Sequence, residues 1–174
     1  MEQLKIIEGC ADGELWAMKK LYEQNASEMM SVCMRYAGNI ETARDLLHDG
    51  FIKLFANIHT YSGSGSFNGW MRRVFVTTAL EHLRRKDVLR HSVEIEMLDY
   101  SENEHDISYF EHLSADDLLD CVANLPEKYR TVFNMFAIEG YKHEEIANEL
   151  EISVIASRTR YLKARRLLQK MVSG

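Results

Sequence analysis

The sequence predicts an all-α protein built as two small helical modules, and three observations carry that expectation. Apolar residues recur at three- and four-residue spacing in both halves of the chain, whereas no segment alternates as a half-buried strand would. Only one proline appears among 174 residues, which suits long helices. From Asp87 to Leu113 the helical period is lost and acids cluster, as in Ser101-Glu102-Asn103-Glu104-His105-Asp106. We therefore expect modules at 1–86 and 114–174 joined by an acidic linker at 87–113.

In the first module, Leu15, Met18, Leu21 and Tyr22 mark one helix. Met29, Val32, Cys33 and Tyr36 mark a second that ends near Gly38-Asn39. A third starts near Glu41 and buries Ala43, Leu46, Leu47, Phe51, Leu54 and Phe55. After the loop Ser62-Gly63-Ser64-Gly65-Ser66, a fourth runs from about Phe67 to Lys86 on Trp70, Met71, Val74, Phe75, Leu80 and Leu83. Its end, Arg84-Arg85-Lys86, reads equally as charge stabilising a helix C-terminus and, with Arg72 and Arg73, as a basic strip.

In the second module, Ser114 is placed as an N-cap with acids in the first turn, and the helix it starts reaches Asn124. Pro126 opens the next helix where a missing N–H costs nothing. Tyr129, Val132, Phe133, Phe136 and Ala137 form its core stripe, and Gly140 stops it. Lys142 to Ser153 then reads as a short helix, a tight turn and a second helix capped by Ser153.

Charge is distributed unevenly along the chain. The net charge is −6, yet residues 1–86 carry +1, 87–121 carry −10, 122–151 carry −3 and 152–174 carry +6. The last segment holds Arg158, Arg160, Lys163, Arg165, Arg166 and Lys170 and no acid. Binding follows local fields within a Debye length of about 8–10 Å, so the acidic total does not oppose a nucleic-acid partner. A helix-turn-helix whose second helix carries the positive charge is suited to a DNA major groove.

Other classes find little support. No apolar run approaches the roughly 18 residues that span a bilayer, and the N-terminus lacks a signal-peptide pattern, so a cytoplasmic protein is expected. Cys10, Cys33 and Cys121 are isolated and read as reduced, mostly buried thiols. The seven histidines never take a metal-ligand spacing, and no phosphate loop or nucleophile elbow occurs. We expect no cofactor, no metal and no catalysis.

Two blocks of the sequence resemble the conserved halves of extracytoplasmic-function sigma factors, the small initiation subunits of bacterial RNA polymerase. The block Asp45-Leu46-Leu47-His48-Asp49-Gly50-Phe51 resembles the Asp-Leu-x-Gln-Glu-x-Phe signature of sigma region 2. Phe67-Asn68-Gly69-Trp70-Met71-Arg72-Arg73-Val74 follows at the expected distance. Leu125-Pro126-Glu127 through Ala164-Arg165-Arg166-Leu167-Leu168 resembles sigma region 4. The order and spacing of two separate blocks make this resemblance more specific than a helix-turn-helix alone.

The resemblance implies partners and sites. Core RNA polymerase would be met through the beta-prime clamp helices and the beta flap, promoter DNA through its −10 and −35 elements, and an anti-sigma factor is a further partner the family allows. Asp45, Leu46, His48, Asp49, Phe51 and Lys53 would form the polymerase-docking surface, with Phe51 packed inside; the alternative is a solvated face of a core helix. Ser64, Phe67, Asn68, Trp70, Arg73, Thr77, Arg84 and Arg85 would meet the −10 DNA, with a flipped base captured at the Ser62–Asn68 loop and the start of the next helix. Trp70 is open to two readings, core residue or stacking platform. Ser157, Arg158, Thr159, Arg160, Leu162, Lys163 and Arg166 would meet the −35 DNA. By helical spacing Ser157, Tyr161, Ala164 and Leu168 face the core, and Arg158, Thr159, Leu162, Lys163 and Arg166 face away from it. The acidic linker would extend by self-repulsion and imitate nucleic acid inside polymerase, or serve only as a tether.

The chain departs from the family pattern in places. His48 stands for glutamine, Thr77 for an asparagine that helps read −10 bases, and Val154-Ile155-Ala156 for Glu-Gly-Thr. Glu151 replaces a turn glycine, which costs about 1 kcal/mol if the site is left-handed. A stand-alone helix-turn-helix regulator that works without polymerase is the other function considered.

Overall fold

A computed structural model describes residues 1–85 and 108–173. The described elements are helical, with no strand among them, and the chain divides by its contacts into one unit at 1–81 and another at 82–174. Most of the expected linker at 87–113 lies outside the described residues. Its described end forms a 3₁₀ turn, Ser108–Phe110, with Phe110 buried.

The first unit contains α1 (Glu2–Ala11), α2 (Leu15–Ala37), α3 (Ile40–Asn57) and most of α4 (Phe67–Arg85). Two expectations are corrected. The helices marked by Leu15–Tyr22 and Met29–Tyr36 are one continuous α2, because the polar residues between them contain no breaker. An additional helix, α1, precedes it. Its buried Gly9 permits close packing, since a Cβ there would lie 2.7 Å from the Ala17 Cβ. Leu15 and Tyr22, expected on the core stripe, are exposed.

The junction of α2 and α3 is closed by local chemistry. Gly38 takes the left-handed conformation (φ +77°), and its N–H bonds the Met34 carbonyl. Asn39 then caps α3 by accepting from the Thr42 N–H at 2.8 Å. Buried Phe51 of α3 lies edge-on against buried Phe75 of α4 (centroids 5.0 Å), with exposed Tyr22 over its outer side (4.7 Å). Gly50 permits that approach: a Cβ there would stand 2.2 Å from the Phe75 ring.

The second unit holds α5 (Ala115–Ala123), α6 (Glu127–Phe133), α7 (His143–Leu150) and α8 (Val154–Ser173). Ser114 caps α5 by accepting from the Asp117 N–H at 3.1 Å, as the sequence suggests. The helix opened by Pro126 does not run evenly to Gly140. It widens into a π-turn, Asn134–Ile138, before Gly140 turns at φ +76°. Buried Arg130 donates to the Ala123 and Leu125 carbonyls (3.2 and 3.3 Å), satisfying acceptors at and just past the C-terminal end of α5. Burial pulls its guanidinium below the ordinary arginine value. The turn between α7 and α8 passes through Glu151 at φ 55°, ψ 43°, the left-handed geometry in which glycine is favoured. Ser153 then caps α8, accepting from the Ala156 N–H at 3.0 Å.

Candidate nucleic-acid interface

In α3, Asp45, His48 and Asp49 are exposed, whereas Leu46 and Phe51 belong to the core. Four residues advance a helix by about 40° beyond a full turn, so the row 45–49–53 drifts around the axis. Lys53 therefore ends on the side facing α4, half-buried and ion-paired with Glu81. The resemblance groups it with the docking residues, whereas the fold turns it toward Glu81 of α4. Beside the exposed carboxylates an apolar groove of about 730 Å³ runs between α2 and α3, lined among others by Tyr22, Ile40, Leu47, Ile52 and Phe55.

The residues expected at −10 DNA divide between two concavities. Trp70, Arg73 and Thr77 line one of about 330 Å³ between α3 and α4, together with Lys53, Asn57 and Glu81. Phe67 and Asn68 line another of about 280 Å³, walled by Tyr61, Gly63 and Gly65 and by Leu4 of α1. Tyr61, Phe67 and Trp70 form an aromatic cluster with centroids 5.2–5.7 Å apart. Trp70 is thus both a packed residue and half-exposed, joining the two readings the sequence left open. The loop bends through Gly63 and Gly65 at positive φ, and the Tyr61 hydroxyl donates to the Gly65 carbonyl at 2.9 Å. Ser64 stands exposed in that loop. Of the last two basic residues, Arg85 is exposed and Arg84 is half-buried, donating to the Glu149 carbonyl at 3.2 Å.

In α8 the structure confirms the expected core face. Ser157, Tyr161, Ala164 and Leu168 are all buried, and the Ser157 hydroxyl sits 2.8 Å from Nδ1 of His143, whose ring stacks on Phe136 at 4.3 Å. The opposite face needs correction. Thr159 and Leu162 are buried, 3% and 0% exposed, and so is Arg160 at 1%. A division into two faces assumes a helix with one neighbour, whereas α8 packs against α5, α6 and α7 together. Sequence spacing cannot count neighbours. Arg158 is exposed, Lys163 and Arg166 are half-buried, and Lys163 Nζ lies 5.9 Å from the Tyr129 ring centroid. A surface side chain absent from the expected set is Ile155, 68% exposed in the first turn of α8.

Cys10 and Cys33 are buried and Cys121 is partly exposed. Burial pushes the Cys33 thiol up to about 12 and raises Cys10 in the same direction. Among the described residues no group of three or more His, Cys, Asp or Glu is placed to hold a metal ion, and no helix is long and apolar enough to cross a membrane.

Comparison with known proteins shows the family. The sigma-70 region 2 family pattern matches residues 21–88, and sigma-70 region 4 matches 115–168. The sigma-E factor of Haemophilus influenzae, an extracytoplasmic-function RNA polymerase sigma factor, is 25% identical over 96% of this chain and 93% of its own length. The sigma factor SigW of Bacillus subtilis is 24% identical over 97% of this chain and 95% of its own. Among solved structures, the sigma factor RpoE of Bartonella quintana, crystallised with the anti-sigma factor NepR, covers 89% of this chain and 96% of its own. Its TM-score is 0.53 at 16% identity, a likeness of fold. Two sigma regions in order distinguish the chain from a stand-alone helix-turn-helix regulator. The chain belongs to the sigma-70 family, as an extracytoplasmic-function RNA polymerase sigma factor that directs promoter-specific initiation.

Proposed function

We propose that α3 divides two tasks between its faces. Its outer face, with Asp45, His48 and Asp49, docks on the beta-prime clamp helices of core polymerase, and the neighbouring apolar groove extends that contact. Its inner face, with Lys53, closes with Trp70, Arg73 and Thr77 of α4 a pocket that receives an unstacked −10 base. Arg73 then meets the strand's phosphates. The first turn of α8, with Arg158, reads the −35 duplex while region 4 rests on the beta flap. The protein does its work in the cytoplasm, where core polymerase is. An anti-sigma partner such as the Bartonella protein has would inhibit by covering the docking groove.

One observation carries this reading. Asp45 and Asp49 are exposed, whereas Lys53, one turn further on, is turned into a polar concavity with Trp70 and Thr77. The flipping of a base costs a few kcal/mol of unstacking, which a pocket with an aromatic wall and polar edges is suited to recover. The reading is tested by pairing two variants in transcription with core polymerase. Asp45→Lys with Asp49→Lys should abolish core binding at unchanged helix content. Thr77→Trp, which fills the pocket, should keep core binding and lose open complexes. Normal core binding by the first, or normal melting by the second, overturns the corresponding half.

A further inference from the structure

The first turn of α8 carries a feature that charge and family pattern do not explain. Ile155 is 68% exposed, on the most positive helix of the chain. At about 100° per residue it lies roughly 120–180° around the helix from Ser157, Tyr161, Ala164 and Leu168 of the buried face. Arg158, three residues on, is its neighbour on the surface and is also exposed. The next residues on the same side, Thr159 and Leu162, are buried. The outward tip of the helix is thus Ile155 and Arg158, one apolar and one cationic. The Ser153 cap and the left-handed Glu151 fix where that turn begins.

A major groove offers two chemistries that match this pair. Arginine binds the O6 and N7 acceptors of guanine or a phosphate, and an aliphatic side chain meets the C5-methyl of thymine. The N-terminal residues of a recognition helix are those that reach base edges. An isoleucine 68% exposed leaves most of its apolar surface in water, and in a groove it would shed that water against a methyl group. We propose that Ile155 is a specificity-determining residue, selecting a thymine of the −35 element by contact with its C5-methyl, adjacent to the base or phosphate held by Arg158. The inference rests on the reading of α8 as the −35 helix. It also means that the departure Val154-Ile155-Ala156 changes which base is preferred rather than merely weakening contact.

The test uses holoenzyme assembled from the full chain and core polymerase, with duplexes randomised across the −35 element above a constant −10 element. Wild type should select thymine at one position or two adjacent ones. Replacing that thymine by deoxyuridine, which removes only the methyl, should weaken binding about three- to fourfold, the effect of one buried methyl-sized group. Ile155→Ala should bind both duplexes equally and lose the thymine selection, and Arg158→Ala should keep the methyl dependence while losing affinity. Ile155→Gly, matching the family residue, serves as a second variant. Both are judged only with thermal unfolding as in wild type. A wild-type enzyme indifferent to deoxyuridine at every −35 position, or an Ile155→Ala variant that still distinguishes the duplexes, overturns the proposal. If Arg158→Ala weakens binding in that case, the −35 reading survives without Ile155. If neither variant changes anything, both fail.

Discussion

The two units place their candidate binding residues differently. In the first, Asp45, His48 and Asp49 stand outside a bundle whose packing is done by other residues: Leu46, Phe51 and Leu54 of the same helix, and Phe75 across from them. In the second, α8 is both the candidate reading helix and the centre of the fold, with α5, α6 and α7 packed on it. Ser157, Thr159, Arg160 and Leu162 are consequently interior. The difference shows where each unit can vary. Surface charges of α3 can change without disturbing the core, whereas in α8 only the first turn and a few half-exposed positions are open to change.

The comparison would be broken most severely at Arg130, whose guanidinium serves acceptors near the end of α5 from inside the second unit. Arg130→Ala should cost about 3 kcal/mol, through orphaned carbonyls and lost packing. Amide exchange should rise across 115–168 and stay near wild type across 15–81. In the first unit the matching site is Gly50, where a methyl would meet the Phe75 ring. Gly50→Ala should cost about 1–3 kcal/mol by overpacking, read from thermal unfolding, and should spare exchange in the second unit.

Smaller changes sharpen the contrast. Glu151→Gly relieves a left-handed conformation held by a residue with a Cβ and should stabilise the second unit by about 1 kcal/mol in urea unfolding. The cysteines separate the interiors without an energy. Burial raises the folded-state Cys33 thiol to about 12, so it remains a neutral thiol at pH 8, where partly exposed Cys121 meets reagent directly. Iodoacetamide at that pH should modify Cys121 first and Cys33 only at the rate of unfolding. Equal rates would mean that the first unit opens far more often than its packing implies.

Much of this molecule is written in local chemistry. Ser114, Ser153 and Gly38 act on backbone groups within four residues of themselves, so their caps were legible without any knowledge of the fold. The strain at Glu151 was legible for the same reason. Helix α1 was missed, since its short apolar set gains a partner only once Gly9 meets Ala17. The π-turn at Asn134–Ile138 was missed too: regular helical spacing puts Ala137 in the core stripe, whereas the wider turn leaves Ala137 exposed and buries Asn134 and Met135.

Chain order and spacing were enough for the all-α class, the position of most helix ends, the two sigma regions in their order and the outward carboxylates of α3. Each of these depends on spacing along the chain or on a bond to a near neighbour. Packing between elements turned Lys53 toward Glu81, parted the residues expected at −10 DNA around Tyr61, Phe67 and Trp70, and put Thr159 and Leu162 inside. Those outcomes depend on how many elements surround a helix and where each one lies. A helical period states which residues share a face, but burial is decided by the neighbours that arrive from elsewhere in the chain.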